Sequence, residues 1–356
     1  MVHFYESSIV ITKDNLYCKI FANEHPEGYL IAKPKYIPSN KISSTELPLR
    51  FLFGETFHRL DMWKNKEELT KYINEFKKIY PDYIYESELH NNWFFVVPRH
   101  KIDKIYDPKM GLRELMRIPE EQLDDHLKSI YKFINFLLES GISLDNFGIT
   151  HSTLAGHYVH GKSDINIVVM GKDNYWKLMD FLKIAEHPLL RWKNDNEWLT
   201  FRHGRSRSIN FTEEEFIYSM RRKKSEGFFN GAFFVLFGVE KPYETWDRWG
   251  EEKYTPLGLA TVEGEVINNY NSIVRPGYYE IKDSRMIDGT NIDVKKIVFY
   301  SRDYIMQAII GEKIRACGLL EKVEPRNGEN YHRIVIGYFD SAISDRRDKE
   351  YIKVIK

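Results

Sequence analysis

Phe147-Gly148-Ile149-Thr150-His151-Ser152-Thr153-Leu154-Ala155-Gly156 is followed eight residues later by Asp164-Ile165-Asn166-Ile167-Val168-Val169. The first segment reads as a strand, a turn and a short helix; the second reads as a strand of β-branched residues. Side chains alternate along a strand, so Asp164 and Asn166 point to one side and Ile165 and Ile167 to the other. Two polar groups at the start of an apolar strand, just after a hydroxyl-bearing turn, make a candidate metal and phosphate site. Two-metal phosphoryl transfer uses that layout, with acidic ligands holding magnesium and a turn of small residues admitting the phosphates. The structural alternative is that Asp164 caps the strand and Asn166 pairs with backbone groups.

Working outward, helical periodicity dominates both flanks of this stretch. Pro119 opens a helix in which Leu123, Leu127, Ile130, Tyr131, Ile134, Leu137 and Leu138 form the buried stripe, with Gly141 as its left-handed end. A helix is expected from Asn174 to about Ala185. Thr212 and Glu215 form a capping box for another, which ends in Arg221-Arg222-Lys223-Lys224. Gly231 to Val239 is almost wholly apolar, as in a strand buried on both faces. Before this region, strands are expected at Leu16–Ala22, Tyr29–Tyr36, Leu49–Phe57 and Trp93–Val97, around a helix from Glu67 to Tyr80. After it, strands at Leu257–Ile267, Gly277–Ile281, Ile292–Tyr300, Lys313–Val323 and Tyr331–Tyr338 suggest a small closed barrel, of the oligonucleotide-binding type. The expected class is α+β: an N-terminal α/β unit over 1–110, a mixed-sheet core over 111–245 and a β-barrel over 250–356.

The order of strand, Gly-Ser-like turn, short helix and Ser-Asp-x-Asp-like strand over residues 148–171 resembles the DNA polymerase beta superfamily of nucleotidyltransferases. With the Tyr-Leu-x-x-Lys-x-x-Tyr-x-Pro-like stretch at Tyr29–Pro38 and the strand-rich tail, the chain resembles the archaeal predicted nucleotidyltransferases of that superfamily. The resemblance implies a nucleotidyltransferase-like core that binds a nucleoside triphosphate and magnesium, and transfer to an RNA, nucleotide or protein acceptor. It makes Asp164 and Asn166 the catalytic and metal positions, and places Ser152 and His151 at the triphosphate. Two positions depart from the pattern. His151 stands where the family has glycine, and its ring crowds a phosphate approach. Asn166 stands where the family has a second Asp, offering a carbonyl oxygen but no charge, which weakens attraction for a hard dication. The expected activity is accordingly reduced. The alternative is a non-catalytic protein that binds RNA or a ribonucleoprotein on a degenerate version of this fold.

The remaining features carry less. His151, His157 and His160 invite a zinc reading, but His151 and His157 cannot share one helix face and no cysteine completes a set. Ser152 lacks the Gly-x-Ser-x-Gly elbow of hydrolases. Arg205 and Arg207 lie in a Gly/Ser loop suited to phosphate; the cations after it complement a helix dipole. Trp246, Trp249 and Tyr254 are either base platforms or a domain interface. The mixed-sign tail from Asp345 to Glu350 reads as a solvated surface. In the 356 residues, 52 Lys plus Arg balance 52 Asp plus Glu, which excludes a uniformly basic nucleic-acid coat. Cys18 and Cys317 are too few for a disulfide framework, no secretory leader is expected, and no apolar run approaches membrane-spanning length, so a cytoplasmic protein without a membrane partner is expected. Scarce Gln beside abundant Lys and Glu leans toward a thermophile.

Overall fold

The computed structural model describes residues 3–42, 44–45, 47–52, 54–62, 65–202 and 210–355. It is mixed α+β and carries a closed five-stranded barrel in its C-terminal region. In the N-terminal part, β1 (Ile9–Thr12), β2 (Tyr17–Ile20), β3 (Tyr29–Pro38), β4 (Leu49–Leu52), β5 (Glu55–Arg59), β6 (Ile84–Ser87), β7 (Asn92–Pro98) and β8 (Ile102–Tyr106) pair in one sheet around α1 (Lys66–Ile79). The long β3 is its centre and pairs with β2, β5 and β7. Helix α1 begins where the Asn65 side chain accepts from Glu67 and Glu68, and its Leu69, Tyr72, Ile73 and Phe76 are buried. The segment expected as one strand from Leu49 to Phe57 is instead the β4–β5 hairpin.

The middle part contains α2 (Pro108–Arg117), α3 (Asp125–Leu138), β9 (Phe147–Ile149), α4 (His151–Ala155), β10 (Ile165–Met170), α5 (Lys172–Ile184), β11 (Leu190–Arg191), α6 (Asp195–Arg202), α7 (Glu213–Arg221), β12 (Glu226–Phe229) and β13 (Ala232–Val239). The sheet order is β11-β12-β13-β10-β9, with β10 and β13 parallel and the other neighbours antiparallel. Ile165, Ile167 and Val169 face one way with Phe234 and Leu236, in a core shared with Ile130, Phe133, Ile134 and Leu137 of α3. Pro119 precedes a short 3-10 turn rather than opening α3. The helix starts after Asp124, whose carboxylate accepts from Leu127 N–H. The capping box of Thr212 and Glu215 forms as the sequence predicts.

The C-terminal strands are β14 (Glu252–Asn268), β15 (Gly277–Met286), β16 (Val294–Phe299), β17 (Lys313–Pro325), β18 (Tyr331–Ile336) and β19 (Tyr351–Ile355). Their order β14-β15-β16-β18-β17 closes because β14 also pairs with β17 along its length, and β16 and β18 run parallel. The barrel does not stand alone. Ile273, Tyr279 and Phe299 join the core of the middle part, whereas Tyr278, Val298, Tyr300 and Tyr338 join that of the N-terminal part. The tail expected to be solvated is tied down: Glu350 is buried and its Oε2 accepts from Gly337 N–H at 2.8 Å and Ser341 Oγ at 2.6 Å. The Glu350 carboxylate thereby satisfies a backbone and a hydroxyl donor of the turn that follows β18.

One buried carboxylate links all three parts. Lys172 Nζ, at the start of α5, donates to Glu240 Oε1 at 3.2 Å, to the Glu244 carbonyl at 2.6 Å and to Asn271 Oδ1 at 2.7 Å. Asn23 Nδ2 donates to the other Glu240 oxygen at 3.3 Å. Burial pushes the Glu240 carboxyl up to about 7, against the opposing pull of Lys172 and Asn23. The native state therefore keeps a proton that the unfolded chain releases near 4.5. Folding stability from this group falls as pH rises from about 4.5 to about 7 and is flat above that window. Urea unfolding at pH 5 and pH 8 should show a smaller loss of stability with pH in Glu240→Gln than in the native sequence.

Candidate functional site

The second face of the middle sheet, opposite the Ile165–Ile167–Val169 core, carries Asp164, Asn166, Val168 and Met170. It is closed at one end and open at the other. Val168, Met170 and Val239 pack beneath Tyr5 of the N-terminal segment. At the other end Asp164 is exposed, and Glu226, Phe228, Phe233 and Val235 are half-buried. The sheet register brings these side chains together. Asn166 is opposite Val235, which is opposite Glu226; Phe233 is opposite Phe228 and stands one residue before the Ile165–Phe234 pair, beside Asp164. The open end thus has a floor of Phe228 and Phe233 with carboxylates at two of its margins. It continues into a cleft of about 710 Å³ that Asp164, Phe228 and Phe233 share with Lys128, Lys132 and Lys162.

Partial burial holds the Asp164 carboxyl above its ordinary value. Lys193 and Arg59 pull it down, and Glu226 pushes it further up. Lys193 lies over the Phe233 ring at 3.6 Å, the Phe201 ring at 4.3 Å and the Trp198 ring at 4.5 Å. The Asn166 amide is turned onto its own strand, donating to the Asp164 carbonyl at 3.1 Å. That is the backbone pairing the structural alternative foresaw for this residue.

The turn before α4 is held from two sides. Thr150 N–H donates to the Asn166 carbonyl at 3.1 Å, and Thr150 Oγ1 donates to the Ser7 carbonyl at 2.7 Å. His151 then has φ 59°, the left-handed region that costs little only for glycine. The position where the resembled family carries glycine therefore keeps a glycine-like backbone while bearing an imidazole. That ring does not project over the Asp164 end. Its Nε2 lies 3.0 Å from Lys19 Nζ and its plane tilts on Phe237 at 5.2 Å. Burial, and then the charge of Lys19, hold the imidazole well below its ordinary range, so it is neutral at pH 7. Ser152 is half-buried on α4, and its carbonyl accepts from His157 N–H.

The structure brings Asp164 and Asn166 together as the sequence predicts, and sets Ser152 and His151 on the adjoining turn. Arg205 and Arg207 lie outside the described residues. Among the described residues no three His, Cys, Asp or Glu side chains converge to hold a metal ion. Asp164 followed by a backbone-bound amide does not fit a protein-held metal pair. The three histidines separate: His157 Nε2 is 3.3 Å from Tyr36 Oη, and His160 is 3.7 Å from Asp125. Trp246 packs on Tyr278 and Trp249 on Tyr85 and His90, so these rings sit in interfaces between parts. The cations ending α7 are also engaged: Arg221 with Asp195, Arg222 with Glu312, and Lys224 over Trp192. The strand Gly231–Val239, expected to be buried on both faces, is only half-buried at Phe233 and Val235, where Lys193 and Phe201 cover Phe233 in part.

Glu226 is the acid that sequence reasoning missed. Glu240, the acid after β13, lies at the opposite end of that strand and is buried in the Lys172 network. The signal for Glu226 was present in Asn230-Gly231, a two-residue hairpin pair with φ 50° and 78° that folds β12 back beside β13. Lys193 gave no such signal, since it reaches the face from the loop before α6.

No family model and no solved structure matches this chain. The chain is similar to Uncharacterized protein MJ1086 of the archaeon Methanocaldococcus jannaschii, with 28% identity over 349 residues that cover 96% of each chain. The likeness thus runs through all three parts.

The electrostatic neighbourhood of Asp164 is directly measurable. Glu226→Gln removes a negative charge beside it and should lower its carboxyl pKa in a carbon-detected NMR titration. An unchanged value would place Glu226 too far away to share the site.

Proposed function

We propose that this protein binds a nucleoside triphosphate at the open end of the middle sheet, with a low capacity for nucleotidyl transfer. The observation that carries this reading is the sharing of one open sheet face by Asp164, Asn166, Glu226 and the Phe228–Phe233 floor. Aromatic faces accept any base by stacking without sequence readout, and a base on this pair takes the place of Lys193 over Phe233 and Arg191 over Phe228. The glycine-like backbone at His151 supports the resemblance to the nucleotidyltransferase superfamily independently of residue identity. The low transfer capacity follows from the neutral Asn166 at the position of a second carboxylate. In this reading Asp164 acts as a base toward an acceptor hydroxyl of an RNA, nucleotide or protein.

A second reading, binding of RNA or a ribonucleoprotein without catalysis, draws on the closed five-stranded barrel. Such barrels bind oligonucleotides across their second and third strands. Here Tyr278 of β15, and Val298 of β16 with Tyr300 just after it, are buried against the N-terminal part. That face is therefore occupied by the chain itself, which favours the nucleotide reading.

Calorimetry with each of the four ribonucleoside triphosphates, with and without magnesium, is the test. Binding in the micromolar to millimolar range is expected, with Phe233→Ala weakening it about tenfold through loss of stacking worth ~1–3 kcal/mol. Absence of heat with all four nucleotides, together with an RNA mobility shift that weakens steeply with salt, would favour the second reading.

A further inference from the structure

A dense group of cations lies where the N-terminal sheet meets the barrel, beyond the closed end of the middle sheet. Lys19 on β2 is directly opposite Lys33 on β3, and Lys35, at the bulge that follows, lines one void with Lys19. Like charges placed opposite one another across strands destabilise a sheet, so this arrangement has no structural advantage of its own. Arg275 and Arg302 come from the barrel side. Both guanidinium groups lie 2.6 Å from one oxygen of Glu6, a carboxylate with no exposed surface. One oxygen cannot satisfy two guanidinium forks. Arg275 Nε and Arg302 Nε and Nη1 are buried and have no hydrogen-bond acceptor among the described residues, and the second oxygen of Glu6 has no donor, so the donors without acceptors outnumber the one acceptor left beside them.

These groups surround real space. A cleft of about 250 Å³ is lined by Lys33, Arg275 and Arg302, with Phe21 and Tyr300 as apolar walls. Lys19 and Lys35 line a small adjoining void with His151. The cations are partly reached by solvent yet enclosed by protein, as expected for side chains at the bottom of a narrow cleft. The carboxylates in electrostatic range are Glu6 and Asp61, and Asp303 lines the cleft, where Ser301 Oγ donates to it. Arg59, exposed at the edge of β5, adds a further positive charge. Among the described residues six basic side chains thus face three acids, in a chain whose overall formal charge is zero.

We propose that this cleft is a binding site for the terminal phosphates of a polyphosphate ligand. Buried N–H donors without acceptors are the complement of phosphate oxygens, and guanidinium groups take two at once. Lys33 lines the cleft and Lys35 the small void beside it, so positive charge is offered at separate points, which suits a chain of phosphates better than one compact ion. Burial holds both lysines down to about 8 and Arg275 to about 10, the behaviour of cations short of counter-charge. The site does not depend on the nucleotide reading of the Asp164 face. The same chemistry arrives either on a free nucleotide or on the 5′ end of an RNA.

The test uses the full chain at pH 7 and low salt, with sodium tripolyphosphate as the probe in calorimetry and thermal melts. Binding that raises Tm is expected, and orthophosphate should bind at least tenfold more weakly. Lys33→Met and Lys35→Met should each weaken tripolyphosphate at least tenfold while raising the Tm of the unliganded protein, because each removes an uncompensated charge. A merely structural role for these lysines predicts the reverse shift in Tm. Asp164→Ala should leave tripolyphosphate binding intact, which separates this site from the Asp164 face. Comparison of ATP with adenosine, and of 5′-triphosphate with 5′-hydroxyl RNA, identifies the source. No tripolyphosphate binding at millimolar concentration, or unaltered binding in both lysine variants, would overturn the proposal.

Discussion

The fully buried Glu6 carboxylate, holding Arg275 and Arg302 from the barrel against the N-terminal segment, is the contact around which the three parts are arranged. An ionised carboxylate away from water requires charged partners, and here both partners come from barrel loops. Tyr5, one residue before it, covers the closed end of the middle sheet, and Ser7, one residue after it, holds the turn at Thr150. A single short segment therefore fixes which end of the sheet face is covered and which stays open. The open end is the one that carries Asp164.

This arrangement makes the parts interdependent. The barrel contributes to two cores, and Glu240 with Lys172 joins groups from the N-terminal part, the middle sheet and the barrel loop at Asn271. Gly238 shows how closely they fit: a Cβ there would come within 2.6 Å of the Ile273 carbonyl. Protein interiors packed to this density do not slide freely, so the two clefts keep a fixed relation to one another. His151 stands between them, with its backbone on the motif turn and its ring beside Lys19.

Much of the architecture was legible in the chain. The apolar alternation of Ile165, Ile167 and Val169, the capping box at Thr212 and the spaced strands after residue 257 each follow from local periodicity, and each forms. Boundaries were less legible where a turn interrupts an apolar run, as at β4 and β5, and where charge suggests exposure, as in the tail holding Glu350. Of the site, Asp164 and Asn166 were readable because strand alternation puts them on one face. Glu226 was not, although Asn230-Gly231 announced the hairpin that delivers it.

By itself, then, the sequence determined the strand-turn-helix-strand order, the facing of Asp164 and Asn166, and the presence of a small barrel, because these depend on short-range spacing. Only the tertiary structure decided that His151 turns toward Lys19 rather than over the Asp164 end, and that Glu226 joins the face. It alone decided that Lys19, Lys33, Lys35, Arg275 and Arg302 gather around Glu6. The physical reason is distance along the chain. The lysines and the arginines are 240 or more residues apart in sequence, and their charges are uninformative until folding removes the water that screens them.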